Sequence, residues 1–141
     1  VDLETGDFEL VKHITVADVG KAINPQHVEM QDEGAAVMGL GHTLMEHLIQ
    51  DEHGRIVNLG ALDYRIPTFK DMPSIMASVL VENGDGPGPG GAKGSGEGGL
   101  LATSPAIAAA LTQATGVVIK DLPLTPERVW QAMHGGDEGR E

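Results

Sequence analysis

At 141 residues and 40% hydrophobic content, the chain is of a size that folds as one domain burying about two thirds of its unfolded surface. A formal net charge of −12, from 21 acidic against 9 basic residues, excludes a phosphate backbone or an anionic membrane surface as partner, because both require clustered Lys and Arg. The absence of cysteine excludes disulfides, thiolate nucleophiles, iron–sulfur ligation and Cys-type zinc sites.

The aromatics are Phe8, Tyr64, Phe69 and Trp130, so the core is expected to be aliphatic and filled by Ala and Met. That is a thin core for a chain standing alone. No apolar run approaches the roughly 18 residues of a membrane span, and because Val1 opens straight into patterned sequence the expectation is of no signal peptide within it. The expectation is a cytoplasmic protein without a membrane partner, although the residues themselves encode no compartment.

Phe8, Leu10, Ile14 and Val16 alternate with Glu9, Val11, His13 and Thr15, the period of a strand with one face more buried than the other. Glu4-Thr5-Gly6-Asp7 before it reads as a hairpin turn whose partner, Val1-Asp2-Leu3, is short. A start inside a hairpin, without an initiator methionine, reads as the C-terminal part of a longer polypeptide. Asn24-Pro25 is an N-cap followed by proline at the first helical position, and apolar residues at helical spacing predict a helix from there to Ile49. Gly39 and Gly41 weaken its middle, which predicts tight packing against another backbone. Asp51-Glu52-His53-Gly54 predicts a turn, Arg55–Leu59 a short strand, and Ile75–Glu82 a buried strand. Ser104-Pro105 repeats the cap-plus-proline signal for a helix over Ala106–Thr115 closed by Gly116. Val117–Ile119 is a further strand candidate, and Thr125-Pro126 opens a last helix containing Val129, Trp130 and Met133. Residues 1–134 thus form one domain of α/β (α+β mixed) class, with a polar, disordered tail over 135–141.

The segment from Gly84 to Gly99 has nine glycines in sixteen residues and carries Lys93 and Glu97. Glycine at that density costs backbone entropy, which positive φ angles or a close backbone approach would justify. A flexible linker is one reading. A second is a dinucleotide site, from Gly94-x-Gly96-x-x-Gly99 between a strand and a helix with Asp121 as the ribose acid. The long stretch from Asn83 to Lys93, and a carboxylate where the pyrophosphate would rest, oppose it. A phosphate-binding loop of the Walker type fails because Gly94 follows Lys93. His42, Glu46 and His47 do not match the order of a zinc helix.

The co-linear motifs Asp18-Val19-Gly20-Lys21-Ala22-Ile23-Asn24-Pro25, Gln31-Asp32-Glu33-Gly34-Ala35, Gly39-Leu40-Gly41, Asp63-Tyr64-Arg65-Ile66-Pro67-Thr68 and Gly91-Ala92-Lys93-Gly94-Ser95-Gly96-Glu97 resemble those near the C-terminus of molybdenum hydroxylase large subunits, the xanthine dehydrogenase and aldehyde oxidoreductase family. The resemblance runs from Val1 to Trp130. It implies the C-terminal portion of a molybdopterin-binding domain and a molybdenum-pyranopterin cofactor, as molybdopterin or its cytosine dinucleotide. Glu97 then matches the general base toward the molybdenum-bound hydroxyl in oxidation of a heteroaromatic or aldehyde carbon. Gln31 matches a position that hydrogen-bonds the pterin, and Lys93, Gly94, Ser95 and Gly96 match the loop beside it; no residue ligates the metal directly.

The implied partners are the N-terminal remainder of the molybdenum subunit, iron–sulfur and FAD domains or subunits, and a small-molecule substrate. A carboxylate suits the role of base, because metal coordination acidifies a hydroxyl toward its range while burial raises the carboxylate to meet it. Gly98-Gly99 after the glutamate depart from the family pattern, where proline or another residue often follows, and bear on the loop's rigidity. A non-catalytic domain of the same fold is the alternative.

Overall fold

The computed structural model describes residues 1–135, so most of the segment expected to be a polar tail lies outside the described residues. Among them are two strands and three α-helices: β1 (Lys12–Gly20), α1 (Pro25–Leu44), β2 (Ile75–Glu82), α2 (Gly98–Thr115) and α3 (Pro126–His134). β1 and β2 pair in parallel, with His13 opposite Met76, Thr15 opposite Ser78 and Ala17 opposite Leu80. The helices α1 and α2 pack on each other and on the sheet, so the α/β expectation holds.

The first strand lies further along the chain than its alternation predicts. Its inward residues are the odd ones, with His13 and Val19 buried, whereas Val16 is 67% exposed. Phe8 and Leu10 do turn inward, but against the helical core, so the buried parity changes before β1 begins. Register with β2, fixed by the parallel ladder, overrides the apolar alternation. The turn at Glu4–Asp7 exists, closed by the Asp2 N–H on the Asp7 carbonyl at 2.7 Å, but no hairpin strand forms at Val1–Leu3.

Asn24 caps α1 as expected, its side chain accepting from the His27 N–H at 3.2 Å. The helix ends at Leu44, not Ile49, because the N–H groups of Met45 and Glu46 both turn onto the Gly41 carbonyl. Gly39 and Gly41 do pack tightly, though against side chains instead of backbone. A Cβ on Gly39 would lie 2.7 Å from the Thr103 Cβ, and one on Gly41 would strike Pro67. The expected strand at Arg55–Leu59 reduces to one antiparallel bridge, Gln50 with Ile56. Buried Asn58 instead ties that loop to α1's end through the Ile49 N–H and the His47 carbonyl.

β2 has the predicted bounds, but none of its residues is fully buried. The second helix starts six residues before Ser104-Pro105, which lie inside it. Leu101, whose carbonyl loses its helical donor at Pro105, is 79% exposed, so water can replace that bond. Ser104 hydrogen-bonds Thr43 on α1 at 2.6 Å and is tied to helix packing instead of a cap. Gly116 closes α2 in the left-handed region, as predicted, whereas Val117–Ile119 forms no strand. α3 matches its prediction, with Thr125 accepting from the Arg128 N–H.

The core is aliphatic, as composition requires: Leu40, Ile107, Leu111, Leu124 and Val129, flanked by Phe8, Leu10 and Met133. It lies where α1, α2 and α3 meet, at the opposite end of α1 from Gln31. Two glycines on α1 separate packing from propensity. Gly39→Ala should destabilise the protein by about 1–3 kcal/mol through the Thr103 clash. Gly34→Ala, where nothing lies within 4 Å, should stabilise it by about 0.5–1 kcal/mol. Urea unfolding midpoints of the two variants should therefore move in opposite directions.

Candidate functional site

Both strands deliver their C-terminal ends to one place, the usual position of a ligand site on a parallel sheet. At the end of β1, Gly20 has φ +64°, and its carbonyl accepts the N–H groups of Asn83 and Gly84 at 2.9 and 3.0 Å. A side chain on Gly20 would strike the Gly91 carbonyl and Lys93, so the glycine loop lies directly across the strand end. Glu82, at the end of β2, accepts the Ala22 N–H at 2.8 Å and pairs with Lys21 at 3.0 Å.

The loop has two physically different halves. From Gly84 to Lys93 it is folded on itself, with the Gly86 N–H donating to Gly91, the Gly88 N–H to Ala92, and the Lys93 N–H to the Val19 carbonyl. Gly84, Gly90 and Gly91 have positive φ, and Gly91 abuts Gly84. These glycines are accounted for inside the chain, so this half is not a linker. Gly94, Gly96 and Gly98 are different: none has positive φ, and a Cβ on any of them would meet nothing within 4 Å. Gly98 and Gly99, the departure from the family pattern, form the first turn of α2.

Lys93 locks the folded half in place, its ammonium reaching Asp18 and Asp85 at 2.7 Å each. Those two carboxylates hold the lysine above its ordinary value. Asp18 is held below the usual carboxylate value by Lys93 first and by the Gly20 N–H second. The ammonium is thus committed to anchoring the loop, while the residue's stem and backbone border a cavity.

That cavity, ≈ 240 Å³, lies between α1 and the loop and is lined by Asn24, His27 and Gln31 on one side and Ala92, Lys93 and Ser95 on the other. Three of the expected cofactor residues, Gln31, Lys93 and Ser95, therefore share one wall-to-wall space. Gly94 and Gly96 do not line it, and neither does Glu97. Glu97 stands exposed at the N-cap of α2, where no side chain caps the helix and its first-turn N–H groups have no side-chain acceptor. Asp121, the ribose acid of the nucleotide alternative, lines a separate cavity with Lys120 and Arg128.

Sequence reasoning missed the polar cluster beneath these residues. Asp32, 3% exposed, accepts hydrogen bonds from Thr15 on β1 and, at 2.6 Å, from Ser78 on β2. His13 is buried beside Thr103, which donates to the Gly99 carbonyl at 2.8 Å. Burial pushes the His13 imidazole below its ordinary value, with Asp32 opposing. The available signal was a carboxylate within the stripe Val28, Asp32, Ala35, Gly39, where a helix otherwise presents apolar or small residues.

The family model described as molybdopterin cofactor-binding domain matches residues 1–73. The chain belongs to that family. The domain is 34% identical over 137 residues to the gamma subunit of a 6-hydroxypseudooxynicotine dehydrogenase complex from Paenarthrobacter nicotinovorans, covering 96% of this chain and 17% of that protein. It is 36% identical over 135 residues to the xanthine dehydrogenase molybdenum-binding subunit of Escherichia coli O157:H7, covering 95% of this chain and 18% of the relative. Quinoline 2-oxidoreductase from Pseudomonas putida 86 superposes with a TM-score of 0.85 at 34% identity, over 94% of this chain and 17% of that one. The molybdopterin cofactor-binding domain described here thus spans under a fifth of these relatives' length. No described helix is long and apolar enough to cross a membrane.

The Lys93 network makes a pH prediction. A depressed folded value for Asp18 adds stability above its unfolded value of about 4 and loses it as pH falls through the folded value. Lys93→Met should therefore speed amide exchange in residues 84–93 at neutral pH, and the difference from the parent should disappear in acid once Asp18 is protonated. Hydrogen exchange followed by mass spectrometry across pH checks both statements.

Proposed function

We propose that residues 1–134 form the C-terminal portion of the molybdopterin-binding domain of a molybdenum hydroxylase, holding the cofactor between α1 and the glycine loop, with Glu97 as general base. The observation that carries this reading is the unexplained openness of Gly94, Gly96 and Gly98. Their conformations do not demand glycine and nothing among the described residues crowds them, so close approach by an external group supplies the missing reason.

The residues present fit a pterin. Gln31 and Ser95 offer hydrogen bonds from opposite walls of the cavity. Lys93 contributes stem and backbone while its charge keeps the loop closed over Gly20. Gly94 and Gly96 leave the loop's backbone bare on the approach to Glu97. Molybdopterin or its cytosine dinucleotide would occupy this space, and when bound it supplies the redox and oxygen-transfer chemistry at molybdenum.

Glu97's task is to hold a proton. Its carboxylate carries no hydrogen bond or ion pair among the described residues, so its oxygens are free to accept a proton as a heteroaromatic or aldehyde carbon is oxidised. Its exposed position supports an active site whose other walls come from the remainder of the molybdenum subunit. Iron–sulfur and FAD-bearing domains or subunits would then carry electrons away, in a cytoplasmic complex.

In the complete enzyme, Glu97→Gln should leave molybdenum content near that of the parent and lower turnover by about 100-fold or more. Retention of more than about a tenth of the rate would count against a general base. The purified 141-residue chain alone should oxidise no heteroaromatic or aldehyde substrate; turnover by it would overturn the division of the site between this chain and the rest. Molybdenum analysis of the assembled complex separates both from the non-catalytic alternative, which requires the metal to be absent.

A further inference from the structure

Helices α1 and α2 carry the two halves of the proposed site, Gln31 on one and Glu97 at the start of the other. They are brought together by a reciprocal pair of glycine contacts. Gly39 of α1 sits under Thr103 of α2, and Gly99 of α2 sits under Asp32 of α1, where a Cβ would lie 2.9 Å from both the Asp32 carbonyl oxygen and its Oδ1. Between those contacts Thr103 donates to the Gly99 carbonyl and touches His13 of β1. The first contact packs apolar and hydroxyl surface, and the second is built around a buried charge.

The Asp32 carboxylate divides its work by oxygen. Oδ2 accepts from Thr15 on β1 and Ser78 on β2, opposite each other across the ladder, which fixes the side chain to both strands. Oδ1 faces Gly99 in the first turn of α2, beside a cavity of ≈ 130 Å³ lined by His13, Thr15, Gly98 and Thr103. A carboxylate near uncapped first-turn N–H groups is favoured by the helix dipole, and here it is the sequence neighbour of Gln31.

We propose that Asp32 is a positioning residue: held by Thr15 and Ser78, it sets the start of α2, and so Glu97, against the cofactor-facing side of α1. The inference rests on the reading of Glu97 as the base, but assigns a function to a residue that reading leaves unused. Asp32 does not line the cavity assigned to the cofactor. It acts through Gly99, two residues from Glu97, and misplacement of a catalytic group by about 1 Å can cost about 100-fold in rate.

The test uses the complete enzyme carrying Asp32→Ala or Asp32→Asn, with Glu97→Gln in parallel. For Asp32→Ala, molybdenum content should stay near that of the parent, KM should stay within about twofold, and kcat should fall at least about tenfold. Amide exchange in residues 97–101 should quicken about tenfold while α3 and the far end of α1 stay protected. Asp32→Asn, which keeps an acceptor for Thr15 and Ser78, should recover most of kcat and of the protection.

An Asp32→Ala enzyme with full molybdenum, unchanged kcat and unchanged exchange over 97–101 overturns the proposal, and so does loosening spread evenly over all the helices. Where Asp32→Ala does not assemble, Ser78→Ala decides: faster exchange confined to 97–101 supports positioning, and unchanged exchange overturns it. Full activity of Glu97→Gln would defeat the reading of the base while leaving the exchange result for Asp32 standing, so the two failures are distinguishable.

Discussion

One buried carboxylate ties α1 to both strands and to the start of α2, beneath the site. Asp32 extends from α1 to a hydroxyl on each strand and lies against the first turn of α2. A carboxylate in that position is costly unless hydrogen-bonded, and here the neighbouring Thr15 and Ser78 hydroxyls both donate to Oδ2 while Oδ1 lies against Gly99. Directional bonds of this kind fix a register that apolar contact leaves free to slide. The aliphatic cluster of Leu40, Ile107, Leu111, Leu124 and Val129 supplies cohesion at the other end of the helices. The polar end thus fixes alignment, and the apolar end keeps the helices together.

Above that junction the glycine loop is arranged as an anchor followed by an open stretch. Positive-φ glycines, backbone hydrogen bonds and the bridge from Lys93 to Asp18 and Asp85 hold residues 84–93 across the end of β1. Exposed ion pairs contribute little individually, but one ammonium between two carboxylates restrains the loop where it crosses Gly20. Those restraints end at Lys93. Beyond it the backbone of Gly94 and Gly96 is bare, so the anchored half can present the open half without blocking it.

The sheet that supports this arrangement is incomplete by the ordinary standards of parallel sheets, which are covered on both faces. Ile14, Val16, Ile75, Val79 and Val81 stand on the face opposite α1 and α2, all substantially exposed. This accords with a chain that spans under a fifth of the relatives it matches.

Local signals in the sequence determined the caps at Asn24 and Thr125, the stop at Gly116, the bounds of β2 and the aliphatic character of the core, because each depends on a few adjacent residues or on composition. Motif order indicated the family, and of the residues it matched to the cofactor, Gln31, Lys93 and Ser95 line one cavity while Gly94 and Gly96 do not. Other features were set by partners distant in the chain. β2 fixed the inward parity of β1, packing against Thr43 drew Ser104 into a helix instead of a cap, and Pro67 fitted against Gly41 near the end of α1. Asp32 is the clearest case: an acidic residue in a helix reads as solvent-facing until a threonine and a serine from two strands meet it. Hydrogen bonds and steric contacts between residues 17 to 67 positions apart are properties of the folded chain, and tertiary structure alone could decide them.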